Sequence, residues 1–224
     1  MIRIKVKRFF DASDGQPPLV RPLGSLVMKT AIILAHPNPS SFCAAIARTC
    51  VEALEASGGE VVLRDLYAMD FDPRLRAAEL PTPQGWTMAP DVVAERAVLT
   101  DVDSFVFVYP FWFNAPPAIL KGYVDRVFSM GFGYQPGSHG GDPLLVGKTL
   151  MTFSTSGAPE HWIDATGALN ALMSVLDLHL AAVTGLRVLG HEHLGGIIAP
   201  MRQDAADDLL ERVSAAILAL RTTV

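Results

Sequence analysis

The chain is poor in cysteine: Cys43 and Cys50 are the only two among 224 residues. Neither has Cys or His partners at metal-ligand spacing, so a cysteine metal site is excluded. If both ride one helix they stand seven residues apart, roughly 10 Å of helix rise, beyond the ~7 Å between Cα atoms that a disulfide spans. Free thiols point to a reducing, cytoplasmic setting. Long apolar runs are also lacking; none approaches the ~18 residues of a membrane span. No basic run follows the first residues, and the net charge is −5, which argues against a nucleic-acid surface. A signal-peptide h-region is missing as well.

What is present is a hydrophobic half, enough for a sizeable core in one large domain. Residues 1–27 differ from the rest. They carry Arg3, Lys5, Lys7, Arg8 and Arg21 against Asp11 and Asp14, a net +3. Ile2 to Lys7 alternates like an edge strand, and Gln16-Pro17-Pro18 reads as linker. Met28 stands directly before the first core strand. The expectation is an N-terminal extension over 1–27, poorly ordered or belonging to a misassigned start, followed by one domain over 28–224.

The most informative stretch is Lys29 to Cys43. Ala31 to Ala35 is a continuous apolar run, the mark of a buried parallel strand. A Pro/Asn/Ser loop then hands the chain to a helix beginning near Ser41-Phe42. The first N–H groups of a helix have no intrahelical partner, and with the helix dipole they form a site for phosphate. Helical spacing over Phe42 to Leu54 ends at Gly58-Gly59. Strands follow at Val61–Leu63, Phe105–Tyr109, Lys148–Phe153 and Leu186–Leu189. Helices are predicted over Asp91–Leu99, with Pro90 placed to start it, from Pro116-Pro117 to Val127, over Asp164–Leu180 and over Asp204–Leu220. Five strands alternating with helices predict an α/β fold: a doubly wound, five-stranded parallel sheet with helices on both faces. Ligands bind such sheets at the carboxyl ends of the strands. The residues after strands one, three and four, His36–Cys43, Pro110–Asn114 and Ser154–Gly157, are therefore expected to meet.

Four segments carry a resemblance: HPNPSSF (36–42), DLYAMDFDP (65–73), PDVVAE (90–95) and PPAILKGYVDRVF (116–128). In this order they resemble the NAD(P)H:quinone oxidoreductases of the flavodoxin-like fold, and the chain is similar to the short bacterial members. The resemblance covers roughly Lys29 to Ala199. It implies a homodimer binding a flavin at the strand ends, usually FAD and in some branches FMN. It further implies that hydride passes from NAD(P)H to the flavin and on to a quinone or similar acceptor, by a ping-pong scheme. Some similar short proteins instead bind flavin as ancillary regulators of a potassium efflux system.

Each loop has an expected role. Ser40 and Ser41 cap the helix and donate to phosphate oxygens, alongside backbone N–H groups of Phe42 and Cys43. His36 contacts phosphate or ribose, or is satisfied by backbone. In Pro110-Phe111-Trp112-Phe113-Asn114, three aromatics at a strand end cannot all face the core, and some should line a flat pocket or a dimer interface. Reduced flavin gathers negative charge near N1 and the C2 carbonyl, where donors of Ser154-Thr155-Ser156-Gly157 would stabilise it. The catalytic candidates are Ser156, Gly157 and Trp162. A hydrolase role for Ser156 is set aside because G-x-S-x-G is missing. Phe113, Tyr134 and Trp162 are expected to wall the substrate pocket, and Gly131 to Tyr134 with the loop Pro136 to Asp142 to form a mobile lid, over this site or the partner subunit's. His191 and His193, two apart at a strand end, share a face, but a metal site would need more ligands than are visible. The relay of Tyr and His that the family places after the third loop finds no histidine at its position here.

Overall fold

A computed structural model describes residues 27–82, 85–137 and 140–219. The expectations for residues 1–26 lie outside the described residues. Five parallel strands form the main sheet: β1 (Lys29–Leu34), β2 (Glu60–Asp65), β3 (Ser104–Pro110), β6 (Thr149–Thr155) and β7 (Arg187–Leu194). Their order is β2-β1-β3-β6-β7, so the chain winds outward from β1 in both directions, and the reversal falls between β1 and β3. β3 and β6 are buried at every residue, which is why both read as unbroken apolar runs rather than alternating ones.

Helices cover both faces. On one side α1 (Phe42–Ala56) and α7 (Gln203–Leu218) bury Ile46, Cys50, Leu54, Val213 and Ile217 against Ile32, Val106 and Phe153. On the other, α2 (Pro90–Leu99), α3 (Ala118–Val127) and the stretch 160–184 cover Ile33, Phe105, Phe107 and Leu150. Ser41 caps α1, its Oγ accepting from Ala44 N at 3.2 Å, and Pro90 opens α2, as a residue with no N–H to satisfy can. Among the described residues no single helix is long and apolar enough to cross a membrane.

Two expectations need correcting. The helix predicted over Asp164–Leu180 is α4 (Glu160–Thr166), α5 (Ala168–Met173), a π-helical turn (Ser174–Leu178) and α6 (His179–Thr184). Gly167 breaks it with φ +66°, a left-handed value that glycine adopts without penalty. The segment expected as a lid loop is instead a hairpin, β4 (Tyr134–Gly137) paired antiparallel with β5 (Gly140–Pro143). Its base is tied down by Leu144 N donating to Gly133 O and Leu145 N to Thr184 O.

Three of the four segments that carried the resemblance, 65–73, 90–95 and 116–128, pack on one another. The Arg126 side chain, 1% exposed, meets Glu79 at 3.1 Å and Asp91 at 2.7 Å and donates to Asp72 O at 2.6 Å. Tyr123 Oη donates to Glu95 at 2.6 Å, and Arg64 Nε donates to the same carboxylate at 2.9 Å. Gly122 lies so close to Pro73 that a Cβ would stand 2.1 Å from its carbonyl oxygen. These motifs thus fix the loop after β2 and helices α2 and α3 into one buried unit. Their place is structural, beside the strand ends rather than in them.

Candidate functional site

Strands β1, β3 and β6 stop side by side: Leu34 pairs with Val108, and Pro110 with Thr155. The three following loops are then stitched by main-chain bonds. Ala35 N donates to Val108 O at 2.9 Å, Phe111 N to Thr155 O at 2.6 Å and Ser156 N to Leu194 O at 3.1 Å. The result is a cavity of about 130 Å³ lined by His36, Phe42, Cys43, Pro110, Trp112, Thr155, Ser156, Gly157 and Ile197. The expected convergence of the three loops is what the structure shows.

His36 sits under Trp112, ring centroids 5.6 Å apart, and its Nδ1 accepts from Asn38 N at 3.0 Å. Burial lowers its pKa. A neutral ring that accepts at Nδ1 carries its proton on Nε2 and is a donor there. The backbone satisfies one nitrogen, and the other remains a donor for a ligand. Ser40 is exposed, its N–H held by Asn38 Oδ1 at 2.9 Å. Ser41 spends one lone pair on its cap and keeps its hydroxyl proton. Cys43 is buried, its Sγ 3.2 Å from Thr155 Oγ1, and burial pushes its thiol up to about 11. Its side chain therefore braces two loops.

The aromatics of the second loop divide. Phe111 is core, its ring 5.5 Å from that of His193, so it does not line the cavity. Trp112 lines it and is 46% exposed. Phe113 is fully exposed, and with Asn114 forms a turn closed by Trp112 N to Ala115 O and Ala115 N to Trp112 O, at 3.1 and 3.0 Å. Both central residues have positive φ, +49° and +56°, as a type I′ turn demands. Asparagine tolerates this region; phenylalanine does so only under strain.

In the third loop Ser156 and Gly157 face the cavity, and Ser156 Oγ donates to Ala158 O at 2.9 Å. Ser154 does not reach it. Its side chain is fully buried and turned toward His191 and His193, because alternate residues of a strand take opposite faces and the ring nitrogens of β7 meet it there. Trp162, on α4, is half-exposed and does not line the cavity. Tyr134 lines a different and larger hollow of about 350 Å³, with Lys121, Val124, Phe128, His179 and Val183. That hollow lies between α3 and α6, away from the strand ends. Sequence reasoning missed Ile197, whose backbone N donates to Ser156 O at 2.8 Å; it follows a strand that is longer than its apolar run indicated.

A doubly wound sheet of this order, with donors gathered at the β1/β3 switch point, is the architecture of the flavodoxin-like proteins. The model of a family described as having the flavodoxin-like fold matches residues 28–217. NAD(P)H dehydrogenase [quinone] 1 of Rattus norvegicus is 30% identical over 183 residues, 73% of this chain and 67% of its own. An NAD(P)H oxidoreductase of Haemophilus influenzae is 39% identical over 132 residues, 58% of this chain and 65% of its own length. The chain thus spans about two thirds of the length of these relatives. The structure of an NAD(P)H:quinone oxidoreductase from Methanothermobacter marburgensis superposes with a TM-score of 0.74 at 26% identity, covering 87% of this chain and 97% of that one. The chain belongs to the NAD(P)H:quinone oxidoreductase family of the flavodoxin-like fold.

Proposed function

We propose that residues 28–224 form a flavoprotein oxidoreductase domain that takes hydride from NAD(P)H and delivers it to a quinone or similar two-electron acceptor. The observation that carries this reading is the meeting of a capped helix N-terminus, an exposed tryptophan and a serine–glycine turn in one cavity at the strand ends. The residues present fit a flavin. First-turn N–H groups of Phe42 and Cys43 and the Ser40 and Ser41 hydroxyls suit its phosphate, and Nε2–H of His36 is a further donor. Trp112 and the Pro110–Asn114 backbone suit the ring system. Ser156 and Gly157 suit its N1–C2 carbonyl edge. Bound there, a flavin supplies reversible two-electron chemistry and gains negative charge at that edge when reduced.

Trp112 shields one side of the cavity, and the exposed Phe113 and Trp162 stand outside it as walls for an incoming planar substrate. A single open face admits the nicotinamide or the acceptor in turn, which is a ping-pong scheme. The oxidoreductase names of the relatives support the enzyme over a transporter regulator. The hollow around Tyr134 suits the face of a homodimer, and two buried free thiols suit a cytoplasmic setting. The flavin is FAD or FMN. Chromatography of the chromophore released by heat identifies which, and titration with each nicotinamide gives the donor. Initial-rate plots at several acceptor concentrations should be parallel. No flavin uptake at micromolar protein with excess FAD or FMN would refute the reading.

A further inference from the structure

Beneath the third loop runs a buried chain of hydrogen bonds that binding alone does not need. Ser156 Oγ lies 2.9 Å from His193 Nε2, and His193 Nδ1 lies 2.8 Å from Ser154 Oγ. Ser154 Oγ lies 2.7 Å from His191 Nε2, and His191 Nδ1 lies 2.7 Å from Asp177 Oδ2. The side chains of His191 and Asp177 have no solvent exposure. The second oxygen of Asp177 accepts from Thr152 Oγ1 at 2.8 Å.

Two backbone irregularities build this chain. Asp177 lies in the π-helical turn Ser174–Leu178, a distortion often found where a helix serves a site. β7 carries a bulge: Val188 pairs with Leu150 but Gly190 with Met151. Val188 packs on the core face shared with Leu150 and Leu176, and Leu189 on the opposite face. Strict alternation would then put Gly190 and Glu192 with Val188. The extra residue reverses that parity and turns His191 and His193 toward Asp177 instead.

Each hydroxyl has one proton to donate, and a neutral imidazole has one N–H. Two complete arrangements follow. In the first, Ser156 donates to Ala158 O and accepts from His193 Nε2–H. His193 Nδ1 accepts from the Ser154 hydroxyl, and Ser154 accepts from His191 Nε2–H. His191 Nδ1–H donates to the Asp177 carboxylate, so His191 is an imidazolium paired with an anion. In the second, every donor between Ser156 and Asp177 points toward Asp177, both histidines are neutral, and the chain holds one proton fewer. Only the first satisfies the 2.9 Å approach of Ser156 Oγ to Ala158 O.

We propose that this chain is a proton relay, with the Asp177–His191 pair as its charged store and Ser156 as its outlet into the candidate flavin cavity. The relay rests on the flavin reading above. The step balances. The Ser156 hydroxyl turns off Ala158 O, its O–H bond breaks, and the proton is bonded at the edge that has gained negative charge. His193 Nε2–H, the Ser154 hydroxyl and His191 Nε2–H each pass a proton one link along. His191 ends neutral and Asp177 keeps its carboxylate, which is the second arrangement. Ser156 is the catalytic residue; Ser154, His193, His191 and Asp177 are positioning residues. The groups facing the histidines are few. Tyr109 presents its ring edge to His191 at 6.3 Å and has a buried hydroxyl without a partner among the described residues. Phe111 covers His193, and Glu160 and Asp164 act on it from α4. Burial, then the nearby charge of His191, lower the His193 pKa against those two carboxylates. That suits a neutral carrier beside a charged store.

The test uses the full chain with ¹⁵N-labelled histidines, loaded with FMN or FAD, recorded at pH 7 before and after dithionite reduction. His191 should carry two ring protons in the oxidised sample and one in the reduced sample. Ser154→Ala, which severs the chain without touching the cavity, should abolish that change while flavin stays bound; His193→Gln severs it one link nearer the outlet and should do the same. If His191 is unaffected by reduction in the unaltered chain, or still loses its proton in whichever severed variant folds and binds flavin, the relay is wrong and the flavin reading stands. If the unaltered chain takes up neither flavin, the functional reading is wrong and the relay falls with it.

Discussion

Cys43 Sγ lies 3.2 Å from Thr155 Oγ1, across 112 residues of sequence. The contact joins the first turn of α1 to the last residue of β6, so the phosphate side and the carbonyl side of the proposed flavin site are braced directly against each other. The brace needs a neutral, immobile thiol. Burial supplies one, holding Cys43 near 11 and Cys50 near 12. At pH 7.5 the thiolate fraction of Cys43 is then about one in 3,000, and the thiolate is the reactive form. Neither cysteine should react with iodoacetamide over hours in the folded protein, and both should react in denaturant. Mass spectrometry of the labelled chain reads the result; native labelling of Cys43 would show that the brace opens.

Ser41→Asp separates the fold from the cofactor. Asp is as good a cap as Ser and suits the positive end of the helix dipole, so stability of the unloaded protein should hold or rise by up to about 1 kcal/mol. The same carboxylate faces any phosphate at the first turn. Flavin affinity should fall at least tenfold in a fluorescence titration. Unchanged affinity would place the phosphate elsewhere.

Much of this site was legible because the signals are local. Ala31–Ala35, Phe105–Tyr109 and Lys148–Phe153 are apolar on both faces because both faces of the sheet are covered, and each ends in a loop with distinct chemistry. The side-chain directions were not legible. Ser154 was assigned to the cofactor, yet it points under the loop, a fact set by pairing with His193 in β7. That pairing depends on a bulge beside Gly190, and periodicity cannot count an extra residue in a strand whose partner lies 39 positions away. Asp177 was hidden for a similar reason: a π turn shifts it off the helical stripe to which simple 3.6-residue spacing assigns it. Tyr134 lines a separate hollow, and the Gly-rich sequence around Pro136 to Asp142 reads as loop, whereas β4 and β5 pair there antiparallel.

Arg126→Leu should be among the most damaging changes outside the site. The guanidinium is buried, and without it Glu79, itself 8% exposed, is an unpaired carboxylate. Breaking a buried pair on one side costs about 3–5 kcal/mol. Urea denaturation should show that loss. A loss below about 1 kcal/mol would mean that water reaches Glu79 and that the motif's packing is looser than described.

The unloaded protein should lose stability on mild acidification, in part through His193. Its pKa is lowered in the fold, by burial first and by the neighbouring His191 second. The unfolded chain then binds more protons than the folded one as pH drops below the ordinary histidine value of about 6.5. Stability therefore rises with pH across that window. The contribution is complete above about 6.5 and lost as pH falls toward the folded value. His36 acts in the same direction, also through burial. Urea midpoints should climb between about pH 5 and 6.5, and His193→Gln should flatten the climb without abolishing it. An equal slope in the variant would show that His193 is not neutral in the fold.

Phe113 is where strain and exposure coincide. Its φ of +49° is costly for a side chain with a Cβ, and its ring makes no compensating burial, since the side chain is fully exposed. Asn114 beside it bears a similar φ of +56°, but asparagine visits that region far more readily. A left-handed residue costs roughly 1–2 kcal/mol, and among the described residues no contact offsets it here. Such strain persists where a loop is held for a ligand. Phe113→Gly should thus stabilise the unloaded protein by about 1 kcal/mol and change flavin affinity less than twofold, because Trp112 and Pro110, not Phe113, line the cavity. The loss should appear in turnover: a KM raised severalfold for both the nicotinamide and the quinone, since both are proposed to use the one wall. A rise for only one substrate would mean that the two do not share a face, and intersecting rate plots would then be expected in place of parallel ones. Unaltered kinetics for both would remove Phe113 from the substrate pocket and leave its strain without a function.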